Sequence, residues 1–156
     1  MFLTVHAPVG AAIGALAGEP VSAFALGVLS HFVLDAIPHG DERLGNVPDR
    51  AAKIRLFVKL AALDGLIMLM VLAYLFTPWV AIPSLAVLAG ILGGIMPDFL
   101  QGFSELLPGN RPLAAFRRFH DYMHVHLIPW ESPLMVGLVT QLITLVAIAY
   151  GLTRII

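Results

Sequence analysis

A chain of 156 residues that is 59% hydrophobic and only 12% charged, with a mean hydropathy of +0.90, is far more apolar than a water-soluble domain and reads as an integral membrane protein. The formal net charge of −1 gives no footing for nucleic acid. With no cysteine, disulfides and thiolate metal sites are excluded, and any metal must be held by His, Asp or Glu.

Five apolar stretches follow one another. The first, 2–17, carries Gly10 and Gly14, and Ala11 and Ala15, at four-residue spacing, which lets a second helix approach closely. It has no basic leader and is interrupted by His6 and Pro8, so it does not read as a signal peptide. Gly18-Glu19-Pro20 marks a turn, and a second helix spans 20–37. At 1.5 Å per residue both helices reach only ~24–27 Å, barely the width of a thin bilayer. Pro38 pushes Ile37 out of helical geometry and drops His39 and Asp41 into the polar loop 38–52. A third helix, 53–76, opens with Lys53, Arg55 and Lys59, and a fourth, 79–96, closes at Pro97-Asp98. The polar segment 99–130 turns at Pro108-Gly109-Asn110, and its part 113–126 predicts an amphipathic helix at the interface. In the fifth span, 133–153, Gly137, Thr140, Gln141 and Thr144 form a mildly polar face that should point into the bundle. The pattern predicts one all-α membrane domain over 1–156, a bundle of about five short transmembrane helices plus an interfacial helix.

With five spans, Arg43, Arg50, Lys53, Arg55, Lys59, Arg111, Arg117 and Arg118 share one side with the N-terminus, and Arg154 stands alone on the other. The positive-inside rule makes the rich side cytoplasmic, in a multi-pass protein of the cytoplasmic (inner) membrane. All six histidines fall at that same end, although none was used to draw the topology.

The polar residues at that end define the candidate site. His31 and Asp35 stand four apart and project from one helix face, with His39 just beyond. His6, Asp98, and His120 and His124 (again four apart) arrive from other segments. Asp64 lies inside the third span, where a carboxylate costs ~2.5–3.5 kcal/mol and is by default functional. The expected ligand set is therefore His6, His31, Asp35, His39, Asp64, Asp98, His120 and His124. Imidazole and carboxylate donors suit a divalent metal, zinc above all, as one or two ions. Such an ion lowers the pKa of its water toward ~7, which points to hydrolysis, with Asp64 or Asp35 as base. Arg117 and Arg118 are placed to hold a lipid phosphate. The substrate expected at that level is a lipid or other amphiphile, cleaved at a phosphoester or ester. Two other classes stay open: a non-enzymatic protein that binds or transports a metal ion, and a structural protein whose polar helix ends are merely solvated and whose histidines touch headgroups. Oligomeric state is not readable.

Early His6 before a glycine-rich helix, Pro97-Asp98 in the middle and the late His120-Asp121-x-x-His124 resemble the small bacterial membrane-bound metal-dependent hydrolases. The Pro-Asp motif here stands without the second Asp and following His of that family. His31-x-x-x-Asp35-x-x-x-His39 is similar to the His-x-x-x-Asp signature of zinc-dependent phospholipases C, a resemblance that implies a multinuclear zinc site acting on phosphodiesters.

The charge asymmetry generates a topology test. A reporter fused after Ile156 is expected on the non-cytoplasmic side and one inserted near Gly45 in the cytoplasm; finding both on one side rules out five spans.

Overall fold

The computed structural model describes residues 1–40, 47–76, 84–127 and 132–155, and within them all regular structure is helical. Asp41, Glu42, Trp79 and Trp130 lie outside the described residues, as do the side chains of His126 and Arg154. The helices are α1 (Leu3–Ala17), α2 (Pro20–Asp35), α3 (Arg50–Phe76), α4 (Leu85–Leu106), α5 (Arg111–Asp121) with a π-helical turn (Tyr122–His126) continuing it, and α6 (Leu134–Ile155).

Three helices, α3, α4 and α6 as far as Leu152, are long and apolar enough to cross a membrane. Helices α1 and α2, at 15 and 16 residues, are shorter apolar helices, as their expected reach of ~24–27 Å implied. The expected end of the fourth helix at residue 96 is also corrected. Helix α4 runs on through Pro97 to Leu106, with the proline buried inside it. Proline removes the N–H of its own position and crowds the carbonyl four residues before it, so a helix continues through one only where packing supports it. The turn of chain around it is held by neighbours: the Gly94 carbonyl accepts from His31 Nδ1 at 2.8 Å.

Gly18 ends α1 in the left-handed region (φ 67°) and returns its N–H to Gly14 O at 3.1 Å. Glu19 then caps α2, accepting from Val21 N at 2.6 Å and Ser22 N at 2.8 Å. The tight link makes α1 and α2 an antiparallel hairpin.

Helix α4 lies on this hairpin almost backbone to backbone. A Cβ on Gly10 would fall 2.3 Å from Gly90 O, one on Gly27 2.5 Å from the same oxygen, and one on Gly93 2.3 Å from Phe24 O. These pairings run α4 antiparallel to α1 and parallel to α2. Lipid offers no hydrophobic driving force between apolar helices, so close van der Waals approach through small residues is what holds them. Helix α1 also touches α3 and α6, and its residues from Leu3 to Ala11 are all buried. By contrast α3 buries none of its residues, and Leu63, Leu66, Leu69 and Met70 face outward.

The charged ends of α3 and α4 meet beyond the start of α1. Glu105 Oε1 lies 3.2 Å from Lys53 Nζ and 3.2 Å from Arg117 Nη1, while Gln101 Nε2 donates to Asp121 Oδ1 at 2.8 Å. This polar layer folds α5 back along α4 and lowers His120 toward the ends of α1 and α2.

The glycine contacts predict an asymmetric response to adding one methyl group. Gly90→Ala, whose Cβ would lie 2.2 Å from Gly10 O, is expected to destabilise the protein by about 1–3 kcal/mol through forced separation of α1 and α4. Gly65→Ala, with nothing within 4 Å, should be neutral or slightly stabilising. Thermal unfolding in detergent micelles checks both.

Candidate metal centre

Two groups of donors come together where α1 begins and α2 ends. His31, Asp35, Asp98 and His120 form one, and Asp35, His39 and His124 the other, each with its ligand atoms within 4.8 Å of one another. Asp35 belongs to both. His31, Asp35 and His39 are at most 1% exposed, and His120 4%. The side chains of Asp98 and His124 are the more open members, 27% and 18% exposed.

Hydrogen bonds to backbone carbonyls set the tautomers. His31 Nδ1 lies 2.8 Å from Gly94 O and His39 Nδ1 2.7 Å from Ile37 O. A carbonyl oxygen only accepts, so each Nδ1 carries the proton, and in the neutral ring Nε2 is left with a lone pair. His31 Nε2 then faces His120 Nε2 at 3.1 Å, and His39 Nε2 faces His124 Nε2 at 3.1 Å. Two nitrogens on one tetrahedral zinc, at bonds of ~2.05 Å, stand ~3.3 Å apart. The His31 Nε2 lone pair is met either by a proton on His120 Nε2 or by a cation between the two rings, while His39 Nε2 also accepts from the α-amino group of Met1 at 2.7 Å.

The carboxylate tells the same story. Asp35 Oδ2 is buried and, among the described residues, has no hydrogen-bond partner. Around it lie His31 Nε2 at 3.1 Å, His120 Nε2 at 3.7 Å and His124 Nε2 at 3.9 Å. An orphaned carboxylate oxygen in an apolar interior is expensive, and a divalent ion among these nitrogens would satisfy it. Donors on one tetrahedral ion stand ~3.3 Å apart, so donor pairs lying as far apart as 4.8 Å would have to draw together to share one. The His31, Asp35, Asp98 and His120 donors fit a divalent metal, whereas in the second group the α-amino group of Met1 already lies 2.7 Å from His39 Nε2.

Asp35 Oδ1 is occupied differently. It accepts from the α-amino group of Met1, which also lies 2.7 Å from His39 Nε2, and it lies 3.0 Å from His6 Nε2. His6, fully buried, stacks on His31 with ring centroids 4.1 Å apart but stands outside both donor groups.

The four-residue spacing of His120 and His124 allowed them to ligate together. The π-helical turn, closed by Leu127 N to Tyr122 O at 3.0 Å, keeps their rings stacked at 5.8 Å, yet their Nε2 atoms go to different partners. Widened turns of this kind are frequent at functional sites.

Asp64 departs furthest from expectation. It is in neither group, and its oxygens accept from Leu3 N at 2.6 Å and Thr4 N at 3.2 Å, at the start of α1. Arg117 is drawn to Glu105 and, at 3.6 Å, to Asp121, while Arg118 is exposed on α5; the structure brings neither to the cluster. Gln141 was read only as part of a polar stripe. It is 4% exposed and joins two parts of the site, accepting from Phe2 N at 2.9 Å and donating to His39 O at 3.3 Å. The i, i+4 spacing from Gly137 was the available signal. No protein-family model, no curated protein and no solved structure matches this chain.

Helix α6 holds the His39 loop closely enough to test. A Cβ on Gly137 would fall 1.7 Å from His39 O, so Gly137→Ala must displace the loop. The expected result is a divalent-metal content below that of the wild type, read by elemental analysis of the untagged protein.

Proposed function

We propose that this protein is a membrane-embedded, metal-dependent hydrolase acting on a lipid or other amphiphile at the membrane interface. The observation that carries the reading is the pair of imidazole couples whose Nε2 atoms face each other around the orphaned oxygen of Asp35. That arrangement supports a divalent metal; zinc is the ion that imidazole and carboxylate donors favour without cysteine.

A divalent ion held there would supply a Lewis acid and a water acidified into nucleophile range. The chain does the rest. His31, His120, His39 and His124 hold the charge in place, and Asp35, reaching both groups, ties them together. Gly94 O and Ile37 O fix the rings and raise their basicity as donors. Asp98 is the most exposed member of its group, and its Oδ1 lies 3.8 Å from His31 Nε2 and 3.6 Å from His120 Nε2. It is placed to take the proton from an attacking water, the role first looked for at Asp64 or Asp35.

Depth supports an amphiphilic substrate. Measured along α4, Asp98 lies ~20 Å from the helix start and ~12 Å from its end. Beyond it come Gln101 and Glu105 and their partners on α5 and α3, whereas α1 and α2 run away from it through apolar residues. The cluster thus sits where the bundle passes from apolar to charged, the level at which a lipid's polar linkage joins its chains.

The test is Asp35→Asn, which preserves shape and removes the bridging charge. Metal content is expected to fall from one or two equivalents to near zero, and turnover of phospholipid or ester amphiphiles in mixed micelles to vanish, while the helical content stays. Wild-type protein that carries metal but turns over no amphiphile would favour a binding or transport role.

A further inference from the structure

Helix α1 begins inside the protein without a cap of its own. Phe2 stands in the N-cap position and has no side-chain oxygen to offer. The free N–H groups of a helix start must nevertheless be satisfied, most of all in an apolar setting. They are satisfied from other helices: Phe2 N by Gln141 of α6, and Leu3 N and Thr4 N by the two oxygens of Asp64 of α3, which also accepts from the Thr4 hydroxyl. A carboxylate at this place also meets the positive end of the helix dipole. One turn further along α1 is His6, whose Nε2 lies 3.0 Å from Asp35 Oδ1.

We infer that Asp64 is a positioning residue for the metal centre: it fixes the start of α1, and through it places His6 against Asp35, without binding the ion or moving a proton. The inference rests on the metal reading above. Both oxygens of Asp64 are engaged by α1, and neither donor group includes it. In α3, which buries none of its residues and is apolar around it, the half-buried Asp64 also fastens the helix to α1. The chain of contact is continuous, from Asp64 to the Leu3 and Thr4 amides, along one helical turn to His6, and from His6 to the carboxylate shared by both groups.

The ligand and positioning roles order two substitutions in opposite ways. Asp64→Asn removes the charge a metal needs but keeps an acceptor for Leu3 N–H and can turn its amide toward the Thr4 hydroxyl. Asp64→Glu keeps a full carboxylate ligand but lengthens the side chain and pushes the start of α1 away. Full-length protein in lipid nanodiscs is titrated with Co(II), whose visible absorption reports coordination number and donor geometry. Positioning predicts that Asp64→Asn retains the wild-type cobalt stoichiometry and spectrum, whereas Asp64→Glu keeps its helical content but binds cobalt about 10–100-fold more weakly with an altered spectrum, the range found when outer partners of metal ligands are changed. Asp35→Asn serves as the ligand control and loses the cobalt.

If Asp64→Asn loses cobalt as Asp35→Asn does while Asp64→Glu keeps it, Asp64 is a ligand and the inference fails alone. If both variants bind cobalt as wild type does and only their melting temperatures fall, the role is structural and the inference again fails. Wild-type protein that takes up no cobalt overturns the metal reading, and this inference with it.

Discussion

The Asp35 carboxylate is the group on which the functional end of this protein depends. It is all but sealed from solvent and belongs to both donor sets. A lone charge in such a place is unfavourable, and the surrounding chain is arranged to answer it. Helix α1 brings His6, α2 brings His31 one turn away, the loop beyond α2 brings His39, and α5 with its π-helical turn brings His120 and His124. Five imidazoles from four separate stretches of chain converge on one side chain, an unlikely investment for a merely solvated helix terminus.

An apolar surrounding shapes the rest. With no hydrophobic gain from helix association in lipid, α1, α2 and α4 are joined at glycines where one backbone rests on another. Such contact tolerates short helices, because close approach per residue substitutes for length. It also brings helix ends, which a bilayer ordinarily keeps at its surfaces, into contact with neighbouring helices. The start of α1 is consequently a place where N–H groups must be met by other parts of the fold, and Asp64 and Gln141 meet them.

Features that depend on spacing along the chain were legible in the sequence. The Gly10 and Gly14 repeat announced a close helix neighbour, His31 and Asp35 share a face, and the histidines were placed at one end by charge and hydropathy alone. Features that depend on a distant partner were not. Asp64 looked like a ligand because a carboxylate within a span needs a partner, and nothing in the sequence says that the partner is another helix's amides. Pro97 looked like a terminator because its local effect is to remove a bond, whereas packing against α1 and α2 carries α4 through it. His120 and His124 looked like one chelating pair because four-residue spacing puts them together, but their partners, His31 and His39, lie on different segments.

The grip of α6 on the loop beyond α2 has a consequence in time. Gln141 and His39 are separated by 102 positions, and the carbonyl of His39 rests on Gly137 and Gln141. Synthesis is vectorial, so the loop carrying His39 is made long before the helix that holds it. The group built on His31, Asp35, Asp98 and His120 has all its members once α5 has emerged, while the group that needs His39 waits for the last helix to insert. The two halves of the cluster are therefore completed in a fixed order, the group on His31 and His120 before the group on His39 and His124.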